Sequence, residues 1–136
     1  MAPMRYFTVE EAQALVPQLE KIFALCAEIR SKAQARVESI KRLEGLPPGE
    51  SAQLAIERSQ VQFLAQCLEH ALQGIDAMGA LLKGLDPGLV DFPHRTSDGD
   101  EVLLCWQEGE KEITHFHGVD EGFAGRKPLP KHIVRH

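Results

Sequence analysis

Hydrophobic residues in the first half of the chain recur at helical spacing. Leu15, Leu19, Ile22, Cys26, Ile29, Ala33, Ile40 and Leu43 alternate gaps of three and four, broken only at Arg36. A flanking row at Val9, Val16, Phe23 and Val37 widens the stripe until it can face more than one neighbour. Thr8-Val9-Glu10-Glu11 has the form of a capping box, in which hydroxyl and carboxylate each accept from the other residue's amide. Pro17 offers no N–H to the carbonyl of Gln13 and disfavours helical geometry at Val16. The pattern therefore predicts a short helix over about 9–16, a kink or break near Pro17, and a long helix to about 44.

Gly45-Leu46-Pro47-Pro48-Gly49 ends that helix and makes a turn. With Ser51 as its cap, a second long helix follows, with core positions Leu54, Val61, Leu64, Leu68, Ala71, Ile75, Met78 and Leu82 and one exception, Glu57. A short connection between long helices implies an antiparallel hairpin, here over 7–83. Two helices alone cannot enclose a core. Ile56 and Phe63 lie one heptad apart and off the main seam. They need cover either from the C-terminal segment, the simpler expectation, or from a second copy in a four-helix homodimer.

Beyond Gly84 the period changes. GLDPG is turn chemistry, LVDFP a short apolar run ended by Pro93, TSDGD a polar turn and EVLLCW a strong strand. QEGE then makes a tight hairpin, with KEITHFH as the returning strand. The expected class is α+β: the helical hairpin plus a three-stranded antiparallel meander and a Gly-rich loop over 84–126. A tail over 127–136 completes a single domain, 1–136. Strand alternation puts Ile113, His115 and His117 on one face of their strand, with Thr114 and Phe116 on the other. On the neighbouring strand Val102, Leu104 and Trp106 share a face, and Cys105 sits with Leu103.

Composition narrows the classes. Apolar content of 43% and charged content of 26% are those of a globular protein. A net charge of −5 argues against nucleic acid, and the basic residues Arg126, Lys127, Lys131 and Arg135 near the end do not reverse it. Three cysteines without CxxC spacing argue against a disulfide framework or zinc ribbon and point to a reducing compartment. There is no signal-peptide pattern and no run approaching the ~20 apolar residues of a membrane span, so the cytoplasm is the expected location.

Candidate chemistry concentrates in ITHFHGVDEGFAGR, residues 113–126. One reading is a polar-ligand pocket: Arg126 presents a planar fork to an anion, the glycine loop aims backbone amides, and Trp106 and Phe123 wall the site. Set against it, Arg126 pairs with Asp91, Asp120 or Glu121 and merely pins the loop. The other reading is a divalent metal as cofactor, held by His115, His117 and Asp120 with help from Glu112 or Glu121, serving hydrolase-like chemistry. Cys105 with His115 or His117 as base is set aside, because a mid-strand thiol among apolar neighbours is inert. No Walker loop, GxSxG elbow, HExxH or dinucleotide fingerprint is present, so no motif calls for an enzyme.

RYFTVEEAQALVPQLE, GLVDFP, VLLCW and FHGVDEGFAGR give the chain a resemblance over nearly its whole length. It resembles an uncharacterised bacterial family catalogued as domain of unknown function 2203. The family pattern, an aromatic–His pair followed by an acidic residue and Gly-Phe-x-Gly-Arg, corresponds to Phe116, His117, Asp120, Gly122, Phe123, Gly125 and Arg126. His115 falls where that pattern has no histidine, so the resemblance shifts weight from a His-x-His metal site to a polar network around His117. It implies no biochemical role. The expectation is a small cytosolic binding module that self-associates through its hairpin, with a pocket for an unidentified small molecule at Trp106, His117, Asp120, Phe123 and Arg126. The alternative is a metal-dependent, hydrolase-like enzyme centred on His117 and Asp120.

Overall fold

The computed structural model describes residues 5–45 and 51–130. Two compact units make up the chain: Met1–Phe23 with Gly74–His136, and Ala24–Gln73. Leu46–Gly49, the Ser51 side chain expected to cap, and the end of the tail from Lys131 lie outside the described residues.

Helix α1 (Val9–Ala14) opens the first unit. Its capping box is complete, with the Glu11 amide donating to Thr8 Oγ1 at 3.0 Å and the Thr8 amide to Glu11 Oε1 at 2.8 Å. The chain breaks at Leu15 and resumes as α2 (Val16–Glu44). Pro17 is thereby the second residue of a new helix, where no N–H is needed for an internal hydrogen bond.

Helix α3 (Ser51–Ala77) ends earlier than the apolar spacing implied. Gly79 takes φ +88°, the left-handed region. Its amide donates to the Asp76 carbonyl at 3.0 Å and the Ala80 amide to the Ile75 carbonyl at 3.3 Å. That is a Schellman stop, closed by the buried pair Ile75 and Ala80. Leu82, assigned above to the helical seam, is therefore in a strand.

The sheet has five strands in sequential antiparallel order, not three. They are β1 (Leu81–Leu85), β2 (Gly88–Arg95), β3 (Glu101–Gln107), β4 (His115–Gly118) and β5 (Lys127–Pro128). Strand β1 comes from residues released by the Gly79 stop. Strand β5 comes from the supposed tail, laid beside β4 through the pairs His115 with Pro128 and Phe116 with Lys127. The returning strand is shorter than expected because the Gln13 side chain takes its first backbone groups. Gln13 accepts from the Ile113 amide at 2.7 Å and donates to the Lys111 carbonyl at 3.0 Å, replacing a sheet ladder.

Helix-side residues and one sheet face make the core of this unit. Val90, Phe92, Leu104 and Trp106 are fully buried beside Phe7, Val16, Leu19, Phe23 and Ile75. Phe7 meets Phe92 edge-on at 5.0 Å, and Phe23 meets Trp106 at 5.7 Å. Burial of each such side chain contributes about 1.5–3 kcal/mol. No helix among the described residues is long and apolar enough to cross a membrane.

In the second unit the two polar breaks in the heptads meet each other. Arg36 Nη1 lies 3.3 Å from Glu57 Oε1, which also accepts from Gln53 Nε2 at 3.2 Å. Leu25, Ile29, Phe63, Leu64 and Cys67 line an apolar groove of about 490 Å³. Within this unit Ile56 and Phe63 are 53% and 61% exposed.

Replacing Gly79 with alanine forces a Cβ into the left-handed region. Chemical denaturation should show a loss of about 1–2 kcal/mol, with helix content otherwise retained.

Candidate functional site

Strand alternation builds this site from the core outwards. Phe92 and Trp106 are committed to the helix-side core, so Asp91 and Cys105 must point to the opposite face. Asp91 pairs directly with Cys105, and Leu103 with His117, which sets His117 on the same face one diagonal step from Cys105. Three neighbouring strands thus give one chemically active side chain each. Asp91, Cys105 and His117 are 2%, 1% and 3% exposed. Their donor atoms lie within 4.8 Å of one another, the only such group of His, Cys and carboxylate side chains among the described residues.

Hydrogen bonding fixes the imidazole. His117 Nδ1 lies 2.9 Å from the Gly118 carbonyl oxygen, which can only accept, so Nδ1 carries a hydrogen. Nε2 lies 3.0 Å from Asp91 Oδ2, so both ring nitrogens are engaged. Burial, first, and then the neighbouring Asp91 carboxylate push the Cys105 thiol up to about 12, against the opposing pull of Arg126. Cys105 is therefore a thiol and His117 has no free nitrogen to act as its base. The cluster as it stands is not an activated nucleophile.

Above these groups lies a cavity of about 240 Å³, walled by Leu89, Leu103, Val119 and Phe123, with Lys83 and Glu121 on its lining. Lys83 sits where the β1–β2 register shifts, between Leu82 and Gly84, and such a bulge adds one residue to the strand. The loop after β4 closes one side. Glu121 folds back to accept from the Gly118 amide at 2.8 Å, which with Lys127 holds its carboxyl below the usual range. The loop glycines need no unusual angles, since positive φ among the described residues is confined to Gly79, Gly99 and Gly109. Gly118 and Gly125 serve close approach instead: a Cβ at either would stand 2.9 Å from a Glu121 carboxylate oxygen.

The far end of the loop is held by Glu110. Arg126 Nη2 donates to its two oxygens at 3.0 and 2.9 Å, and the Arg126 guanidinium lies 4.8 Å from the Phe123 ring centre. Glu110 also takes the Gln107 amide at 2.7 Å, while its carbonyl takes Trp106 Nε1 at 2.9 Å. Arg126 thus pins the loop, but through Glu110 rather than through Asp91, Asp120 or Glu121.

The structure brings together only part of the sequence-derived set. His117 and Phe123 line the cavity. Trp106 is fully buried on the opposite face and is no wall of it. Asp120 and Glu112 are exposed and line no part of the cavity. His115 pairs with Cys105 in register, but its Nδ1 is engaged with Thr114 Oγ1 at 2.8 Å, and it stands outside the cluster. Asp91 and Glu110 were not singled out as site members. Asp91 was accessible in principle from alternation, counted outwards from Phe92. Glu110 carries no such signal.

Cys105 should resist alkylation at neutral pH in the native protein and react once it is unfolded, as intact-mass labelling can show. Its raised value also makes stability fall with alkalinity. The unfolded thiol ionises from about pH 8.5 while the folded one stays protonated. Stability contributed by the neutral thiol is present below that pH and is lost as pH rises towards 12. Denaturation of Cys105→Ala should show a flatter decline over this window than the parent protein.

Each of three sequence blocks supplies one member of the cluster: GLVDFP gives Asp91, VLLCW gives Cys105 and FHGVDEGFAGR gives His117. No curated protein and no solved structure matches the chain. The family described as an uncharacterized conserved protein, DUF2203, matches residues 5–129. This chain belongs to the DUF2203 family.

Proposed function

We propose that this protein acts by binding, taking a small polar ligand into the cavity above Asp91, Cys105 and His117. The observation that carries this reading is that three ionisable side chains, each no more than 3% exposed, face that cavity. A folded core gains nothing from such groups: apolar replacements of similar volume are often neutral or stabilising. Retaining them here is the pattern of a site that gives up stability for recognition. Phe123, Leu89 and Leu103 supply the apolar walls, and the Arg126–Glu110 pair holds the wall that Phe123 provides.

The test is an NMR fragment screen of the metal-free protein. Hits are expected to move the amides of Leu103, His117, Val119 and Gly122, and to be lost in Leu103→Trp, which fills the cavity. A screen at millimolar concentration in which no fragment moves those amides would sink the reading.

A second reading, self-association through the hairpin, rests on a separate observation. From Ser59 to Leu68 helix α3 carries no charged residue, although Gln60, Gln62, Phe63, Ala65 and Gln66 are exposed. Charge depletion around an exposed aromatic is the composition of an interface centre. Sedimentation should show a dimer that Phe63→Glu converts to monomer; a clean monomer of the parent protein at high micromolar concentration removes this reading.

A further inference from the structure

Building on the cavity as a binding site, we propose that its ligand is centred on a divalent transition-metal ion of the zinc class. The ion is held by His117 Nε2, Cys105 Sγ and an Asp91 carboxylate oxygen, with its remaining position open to the cavity. Mixed sulfur, nitrogen and oxygen donors select zinc-class ions over magnesium and calcium, which take oxygen alone.

The geometry is close to what such an ion needs. Bond lengths of about 2.3 Å to sulfur and 2.0–2.1 Å to nitrogen put tetrahedral donors roughly 3.5 Å apart. His117 Nε2 and Asp91 Oδ2 already stand at 3.0 Å, and all three donor atoms lie within 4.8 Å. The imidazole is already oriented: Nδ1 donates to the Gly118 carbonyl, which aims Nε2 at the cluster, as outer partners do at metal sites.

Charge balance favours the same occupant. A thiolate and a carboxylate cancel a doubly charged ion beside a neutral imidazole, so the loaded site is neutral in a place where net charge is costly. Cys105 must give up its thiol proton to bind the ion, so loading releases protons to solution. Three protein ligands beneath a cavity of about 240 Å³ leave room for water or a ligand atom on the ion, the arrangement of an open site rather than a closed structural one. Lys83 on the cavity lining places a cation where an anionic ligand of the ion would extend.

The experiment is a cobalt(II) titration of the metal-free full chain, followed by visible and near-ultraviolet absorption. Expected are saturation at one equivalent, a thiolate-to-cobalt charge-transfer band, tetrahedral ligand-field bands, and release of protons on loading. Cys105→Ser should abolish the charge-transfer band while keeping its circular dichroism. Asp91→Asn should weaken binding at least about tenfold and serves as the second variant if the first misfolds. Thiocyanate should perturb the ligand-field bands if a position is open; bands indifferent to it overturn the open position. Absence of a saturable band, or a charge-transfer band that survives Cys105→Ser, overturns the metal site. Fragment binding at the same amides in metal-free protein would then show the cavity reading standing without the ion. Loss of both signals removes both.

Discussion

The two-residue period of β2 and β3 is the constraint on which the rest of the candidate site depends. Phe92 and Trp106 are fully buried on one face, and a one-residue slip of either strand would exchange them with Pro93 and Cys105. Register is therefore strongly specified by the aromatic pairs Phe7–Phe92 and Phe23–Trp106. That specification is also what holds Asp91 opposite Cys105. The site inherits its precision from the hydrophobic face behind it, which has no chemistry of its own.

A second layer of organisation is polar and runs through Glu110. One carboxylate takes the Gln107 amide and the Arg126 guanidinium, and the same residue's carbonyl takes the Trp106 indole N–H. Core, hairpin and loop are thus tied at one residue. Because the Arg126–Glu110 pair is largely shielded from water, with side-chain exposures of 14% and 25%, it is worth more than a surface ion pair. Its position explains how a loop without helix or strand period keeps Phe123 on the cavity wall.

The hairpin unit follows a different rule. Its seam is apolar apart from Arg36 and Glu57, and those two exceptions find each other. A polar pair in such a seam contributes little net stability, but a shifted register would leave Glu57, 6% exposed, without its cation. Single polar residues fix the register of coiled coils in the same way.

Local signals in the amino-acid sequence determined a good deal: the capping box at Thr8, the break before Pro17, the α+β class, the strand core EVLLCW and the two polar interruptions of the heptads. All are written in residues a few positions apart, where backbone sterics and side-chain periodicity act without help from the rest of the chain. His117 and Phe123 were legible for the same reason, lying in one dense motif. Tertiary structure decided the remainder. Leu82 kept helical spacing but lost its helix to the left-handed stop at Gly79, and Lys127 and Pro128, next to the Arg126–Glu110 pair, became a strand by pairing with β4. Asp91, Cys105 and His117 are separated by at least twelve residues, and only strand pairing makes them neighbours. Alternation states which side chains share a face. Which face is covered by helices, and so which residues are left to do chemistry, depends on packing between elements that no local pattern contains.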